Sequence, residues 1–99
     1  MKVPENQIKV IDAIKQALKA VDEQKKQNGN LKIPLSQLEI AEKTLRDTIN
    51  KIELNEYLTG DDHDMAGLGH MVVDQWPYEL EISNIVLRAV QIYHKLRMG

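Results

Sequence analysis

Hydrophobic positions recur every three or four residues along most of the chain, which is typical of amphipathic helices. In the first third of the chain, four aliphatic residues keep this spacing: Ile11, Ile14, Leu18 and Val21. Pro4 suits a first helical turn, and Gly29 is the residue type that commonly follows a helix end. The pattern therefore predicts a first helix over about residues 4–27.

A second helix has the clearest start signal in the sequence. Ser36 and Glu39 have the spacing of a capping box, and Leu35 and Ile40 have that of a hydrophobic staple. The apolar stripe that follows consists of Leu38, Ala41, Leu45, Ile49 and Ile52. We predict a helix over about residues 36–58. Because a short glycine-containing turn joins it to the first helix, the two should form an antiparallel hairpin.

The second half of the chain predicts a short helix and a long one. Met65, Leu68 and Val72 share one helical face, which favours a short helix over about residues 62–75. Gly67 and Gly69 each disfavour it by about 1 kcal/mol relative to alanine, so some distortion is expected. A last helix should begin at Pro77 and span about residues 77–97, although residues 78–82 alternate and allow a short strand instead.

These elements predict an all-α fold. A length of 99 residues suits one domain, over residues 1–99, in which the antiparallel hairpin packs with the short helix and the C-terminal helix. The expected architecture is a small bundle of three to four helices.

Composition narrows the function classes. The chain has no cysteine, which excludes disulfides and thiolate metal sites, and its start lacks the apolar region of an export signal. No apolar run approaches the roughly 20 residues that span a bilayer. We therefore expect a cytoplasmic protein without membrane contact. A net charge of −2 argues against nucleic-acid binding.

The last helix is apolar on two faces, which suggests an interaction surface. Opposite its main stripe lie Leu80, Leu87 and Met98. Leu54 and Leu58 likewise fall away from the main stripe of the second helix. Either these residues are covered within the monomer, or they contact a second copy or another protein. The leading hypothesis is a non-enzymatic interaction or regulatory module that self-associates through the C-terminal helix.

An acidic segment offers a second hypothesis, a metal site. Residues 59–75 contain four aspartates and no lysine or arginine, a net charge of −4. On a helix, His63, His70 and Asp74 share one line, and imidazole and carboxylate are ligands for divalent metals. His63 and His70 would be about 10 Å apart, so His70 and Asp74 are the closer pair. A solvated polar face explains the pattern equally well.

The same segment has candidate residues for small-ligand binding. Asp61, Asp62 and Asp64 suit an oxygen-liganded cation or, alternatively, the cap of the short helix. Trp76 and Tyr78 either pack at a hinge or form an aromatic shelf beside these aspartates. The alternative function is therefore a ligand- or metal-binding protein that uses residues 61–78. The sequence contains no recognisable catalytic motif, which argues against an enzyme more than for one. No cofactor is expected, and a divalent metal is the one alternative.

Overall fold

The computed structural model of this protein describes residues 5–27, 33–57 and 63–98, apart from the side chain of His63. These residues form four helices, α1 (Glu5–Lys25), α2 (Leu35–Glu53), α3 (His63–Gln75) and α4 (Glu81–Met98). They contain no strand, which confirms the all-α prediction and makes the alternative of a strand over residues 78–82 wrong. Nor does any helix within these ranges have the length and hydropathy needed to cross a bilayer.

The four helices form a ring in which each helix packs antiparallel to its neighbours. The hairpin is as predicted: Lys25 near the end of α1 bonds Glu42 on α2, while Gln7 near the start of α1 bonds Asn55 beyond the end of α2. Within the described residues α1 packs on α2 and α4, and α3 packs on α2 and α4, whereas the backbones of the diagonal pairs lie farther apart. Chain order is therefore also the order around the ring.

The ring surrounds one aliphatic core. Each helix contributes a buried stripe at the predicted spacing: Val10, Ile14, Ala17 and Val21 from α1; Leu38, Ala41, Leu45 and Ile52 from α2; Met65, Leu68 and Val72 from α3; Ile82, Val86, Ala89, Tyr93 and Leu96 from α4. Among the described residues, no buried side-chain nitrogen or oxygen lacks a hydrogen-bond partner. Hydrogen bonds thus compensate the burial of these polar atoms, as is usual in native proteins.

The start of α2 differs from the sequence prediction. Pro34 occupies the N-cap position and no side chain caps the helix, so the capping box of Ser36 and Glu39 is wrong. Two fully buried residues, Ile33 and Leu38, stand immediately before the cap and at the fourth helical position. These are the staple positions that we assigned to Leu35 and Ile40. Because Ile33 is buried, the helix begins at Leu35, before the position that the predicted capping box of Ser36 and Glu39 indicated.

The end of α2 also comes earlier than predicted, at Glu53 rather than near residue 58. Asn55 adopts a left-handed backbone conformation with φ of 57°, which asparagine tolerates better than most residues. The backbone N–H of Glu56 donates to the carbonyl oxygen of Lys51 at 2.8 Å, the bond of a Schellman motif. This motif ends the helix.

Side chains from three helix ends meet beside this motif. The buried Gln7 donates from Nε2 to the hydroxyl of Tyr57 at 2.8 Å and to Oδ1 of Asn55 at 3.2 Å. Arg97, near the end of α4, donates from Nε to the backbone carbonyl of Tyr57 at 2.9 Å. The segment after α2 is therefore hydrogen-bonded to both α1 and α4.

The helix α4 begins at Glu81 and not at Pro77 as predicted. The carbonyl oxygen of Pro77 accepts the N–H of Leu80 at 3.1 Å and the hydroxyl of Ser83 at 2.7 Å. It thereby forms a turn rather than the first bond of an α-helix. This turn reverses the chain between α3 and α4, so the helical geometry that Pro77 permits is not used.

At the other end of the hairpin, an ion pair joins α1 to α2. The Nζ atom of Lys25 lies 2.8 Å from Oε2 of Glu42. The hydrogen bond to Glu42 is the largest contribution that raises the pKa of Lys25 above 10.5. Because the folded-state pKa is raised, the pair stabilises the fold at neutral pH and this contribution is lost as the pH rises through that pKa.

We expect replacement of Asn55 to separate backbone strain from hydrogen bonding. Asn55→Ala removes the acceptor for Gln7 and keeps a β-carbon in the left-handed region, so the free energy of unfolding should fall by about 1–2 kcal/mol. Asn55→Gly also loses the acceptor, but it relaxes the backbone and should cost less. Urea denaturation followed by circular dichroism measures both values. A glycine variant as unstable as the alanine variant would contradict the left-handed conformation.

The two glycines of α3 should respond differently to alanine. A β-carbon at Gly67 meets no other atom within 4 Å, whereas one at Gly69 would lie 3.2 Å from Cγ1 of Val90 on α4. Gly67→Ala should therefore raise the free energy of unfolding by about 1 kcal/mol through helix propensity alone. Gly69→Ala gains the same propensity but crowds Val90, so its increase should be smaller. Equal gains in thermal denaturation would be evidence against the close packing of α3 on α4.

Candidate functional site: the groove between α3 and α4

A groove of about 470 Å³ lies between α3 and α4. It is lined by Met65, Ala66, Val90, Gln91, Tyr93, His94, Lys95 and Arg97. The α3 residues come from the first turns of that helix and the α4 residues from the last turns of theirs, because the two helices are antiparallel. This volume falls within the range of roughly 300–1,000 Å³ that is typical of ligand pockets.

The close packing of α3 on α4 adjoins the groove at Val90. Gly69 lets α3 approach α4 so closely that a β-carbon there would lie 3.2 Å from Cγ1 of Val90. Val90 is also the lining residue farthest from the end of α4. Because the helices are antiparallel, Met65 and Ala66, about one turn before Gly69, lie beside α4 residues about one turn beyond Val90.

The groove lining combines apolar and basic side chains. Val90, Met65 and Ala66 contribute apolar atoms, whereas His94, Lys95 and Arg97 are basic residue types. Arg97 already donates one hydrogen bond to the carbonyl oxygen of Tyr57, which holds its guanidinium close to the bundle. Among the residues that the structure describes, apolar and basic side chains thus line the same groove.

Apolar side chains continue the groove wall along both helices. Positions seven apart are two helical turns apart and share a face. On α3 this spacing relates Ala66, which lines the groove, to Val73, which is 67% exposed. On α4 it relates His94 to Leu87, and Gln91 to Met98, which is 75% exposed. We call Ala66, Val73, Leu87, Gln91, His94 and Met98 the α3–α4 face.

Of the predicted interface residues, the structure brings Leu87 and Met98 to this face. Leu87 is half-buried against the core, and Met98 is exposed. Leu80 precedes α4 and lines a smaller cavity beside α1, so it does not continue the predicted stripe. Leu54, at the C-cap of α2, is exposed and lies on neither helix of the groove. Leu58 lies outside the described residues.

The three predicted ligand-binding residues that the structure describes do not form one surface. Trp76 is buried in the core and donates from Nε1 to Oε1 of Gln37 on α2 at 2.9 Å. Tyr78, two residues later, is 85% exposed. Asp64 is an exposed residue of the first turn of α3, while Asp61 and Asp62 lie outside the described residues. Trp76 therefore acts as a packing residue between α2 and α3.

The predicted metal ligands are brought together only in part. His70 and Asp74 are exposed and stand one turn apart on α3, and the side chain of His63 is not described. Among the described residues, no group of three or more histidine, aspartate or glutamate side chains is arranged to hold a metal ion. The pair His70–Asp74 alone supplies two ligands, fewer than a structural or catalytic zinc site uses.

Sequence reasoning did not identify the groove itself. It treated Gly69 only as a cost to α3, without a partner on another helix. The signal that indicates the groove is the combination of a helical glycine with an apolar face on the neighbouring helix. That combination becomes visible only when the ring order, which puts α3 beside α4, is known.

No protein family, no curated protein and no solved structure matches this chain. The features that bear on its function are therefore the groove, the α3–α4 face and their charges.

Proposed function

We propose that this chain is a non-enzymatic interaction module that self-associates, and that two copies pack through the α3–α4 face. The observation that carries the proposal is the exposure of two apolar side chains outside the groove lining, Val73 on α3 and Met98 at the end of α4. A small ligand would need only the groove. Exposed aliphatic side chains beyond it on both helices are better suited to a protein surface.

Charge favours a second copy as the partner. The charged side chains of α3 that the structure describes are acidic, Asp64 and Asp74. By contrast, α4 has three basic residues and one acidic residue, a net charge of +2. A two-fold axis that lies in the interface and runs parallel to the helices brings α3 of one copy opposite α4 of the other. In that arrangement an acidic helix faces a basic one twice, which favours association and fixes its orientation.

The size of the α3–α4 face sets the expected affinity of self-association. With 13 residues, α3 is about 20 Å long at a rise of about 1.5 Å per residue, and two helices are about 20 Å wide. A face of this size buries roughly 800 Å² over both copies, which is below the roughly 1,200–2,000 Å² of stable complexes. We therefore expect reversible association in the micromolar range rather than a permanent dimer.

We also propose a cytoplasmic location. Support comes from the absence of cysteine in the whole sequence, because small exported domains commonly depend on disulfides.

Sedimentation experiments with charged variants of Val73 test the proposal. Val73 is largely exposed, so its replacement should leave the monomer folded. Val73→Lys puts a cation opposite the basic α4 of the second copy and should weaken dimerisation roughly tenfold or more. Val73→Glu costs the same apolar contact but meets an attractive charge, so it should weaken dimerisation less.

Ile40→Lys is the matched control. Ile40 is 53% exposed on α2, away from the α3–α4 face, so its replacement should leave the dimerisation constant unchanged. The proposal fails if the natural chain remains monomeric to near-millimolar concentration. It also fails if Ile40→Lys dissociates the dimer and Val73→Lys does not.

A further inference from the structure

We infer that α3 is a lid that leaves the bundle as one unit while α1, α2 and α4 stay packed. Self-association through the α3–α4 face requires α3 in its docked position, so the same motion acts as an off switch for the dimer. This second part rests on the proposed function. Three features of α3 carry the inference: its unfavourable local sequence, its small share of the core and its place in the ring.

The local sequence of α3 disfavours a helix more than that of the other three. With 13 residues α3 is the shortest of the four, and it alone contains glycine, at Gly67 and Gly69. Each glycine shifts the equilibrium away from the helix about fivefold relative to alanine. Asp74 adds a negative charge to the last turn, which has no basic residue to complement the helix dipole. Without its neighbours, α3 would therefore not remain helical.

The share of α3 in the core is also the smallest. It buries three apolar residues, Met65, Leu68 and Val72, whereas each of the other helices buries four or more. At its C-terminal end, the side chains of Gln75 and Trp76 both bond a single residue of α2, Gln37. The apolar stripe that holds α3 in the bundle is thus shorter than that of any other helix, and elements with few buried contacts are the first to open.

The ring order lets α3 leave without separating the other helices. The helix α1 packs on both α2 and α4, and its 21 residues span about 32 Å. When α3 detaches, α1 therefore still joins α2 to α4. Loss of α1 would instead leave α2 and α4 connected only through the shorter α3. The ring can thus open at α3 and keep three helices in contact.

Detachment of α3 removes one of the two helices that form the proposed dimer surface. Val73 lies on α3, while Leu87 and Met98 lie on α4, so the α3–α4 face exists only when α3 is docked. A second copy that binds only the docked form stabilises that form by mass action. Self-association should therefore hold the lid closed, and opening of the lid should dissociate the dimer.

Hydrogen exchange under native conditions, followed by NMR, tests the lid. At protein concentrations below the dimerisation constant, amides of α3 should exchange at least tenfold faster than the slowest amides of α1, α2 and α4. In low concentrations of urea they should converge on one common opening, as a cooperative unit does. Equal protection of all four helices would overturn the inference.

Two alanine variants separate opening of α3 alone from unfolding of the whole chain. A β-carbon at Gly67 meets no atom within 4 Å, so Gly67→Ala should slow exchange of the α3 amides about fivefold through helix propensity. Asn50→Ala is the matched change at an exposed position of α2. It should slow the slowest amides of α1, α2 and α4 about two- to threefold and leave the α3 amides unchanged. If Asn50→Ala slows the α3 amides equally, α3 opens only with the whole fold and the inference is wrong.

The concentration dependence of α3 exchange tests the switch. In the natural chain, the α3 amides should exchange more slowly as the concentration rises through the dimerisation constant. Val73→Lys should need about tenfold higher concentration for the same slowing, in line with its weaker dimer. If sedimentation shows a dimer whose α3 amides exchange as fast as those of the monomer, the switch is wrong although self-association stands. If the natural chain is monomeric at all concentrations, self-association and the switch both fail, whereas fast exchange of α3 in that monomer still supports the lid.

Discussion

The fold depends on the need to hide one apolar stripe on each of four helices at the same time. None of these helices can bury its stripe alone, since isolated helices of this length are marginally stable in water. Packing them in a ring covers every stripe with two neighbours. The ring also explains why a protein with no phenylalanine in its sequence still has a dense interior, because branched aliphatic side chains fill the space between helices efficiently.

Periodicity alone predicts the stripes but not the helix ends. The spacing of Leu38, Leu45 and Ile52 required a helix, whatever its neighbours. Its ends were decided by tertiary burial of Ile33 and by the left-handed Asn55, whose side chain bonds Gln7 across the hairpin. Similarly, Pro77 permits a helix start, but reversal of the chain requires a turn at this position. At each of these helix ends, a contact between residues distant in sequence outweighed the local sequence signal. This is the general reason that helix boundaries are hard to predict.

The candidate site was predictable in part. A second apolar face on α4 follows from the positions of Leu87 and Met98, and both residues lie on the α3–α4 face. The helix that packs beside α4 could not be predicted from this pattern, because the pattern within one helix contains no information about its neighbour. The role of Gly69 in the close packing of α3 on α4 depends on the position of Val90 as well as on the sequence of α3. Chemistry shared between two helices is therefore the part of this molecule that requires three-dimensional information.

The buried position of Trp76 has a practical consequence for spectroscopy. It is the only tryptophan in the sequence, and its indole N–H is hydrogen-bonded to Gln37 across the boundary between α2 and α3. Its fluorescence therefore reports on one contact, the docking of α3 onto the hairpin. Detachment of α3 would expose the indole to water and shift its emission to longer wavelengths, even while α1 and α2 kept their helical signal. Trp76 fluorescence is thus an intrinsic probe for detachment of α3 from the rest of the bundle.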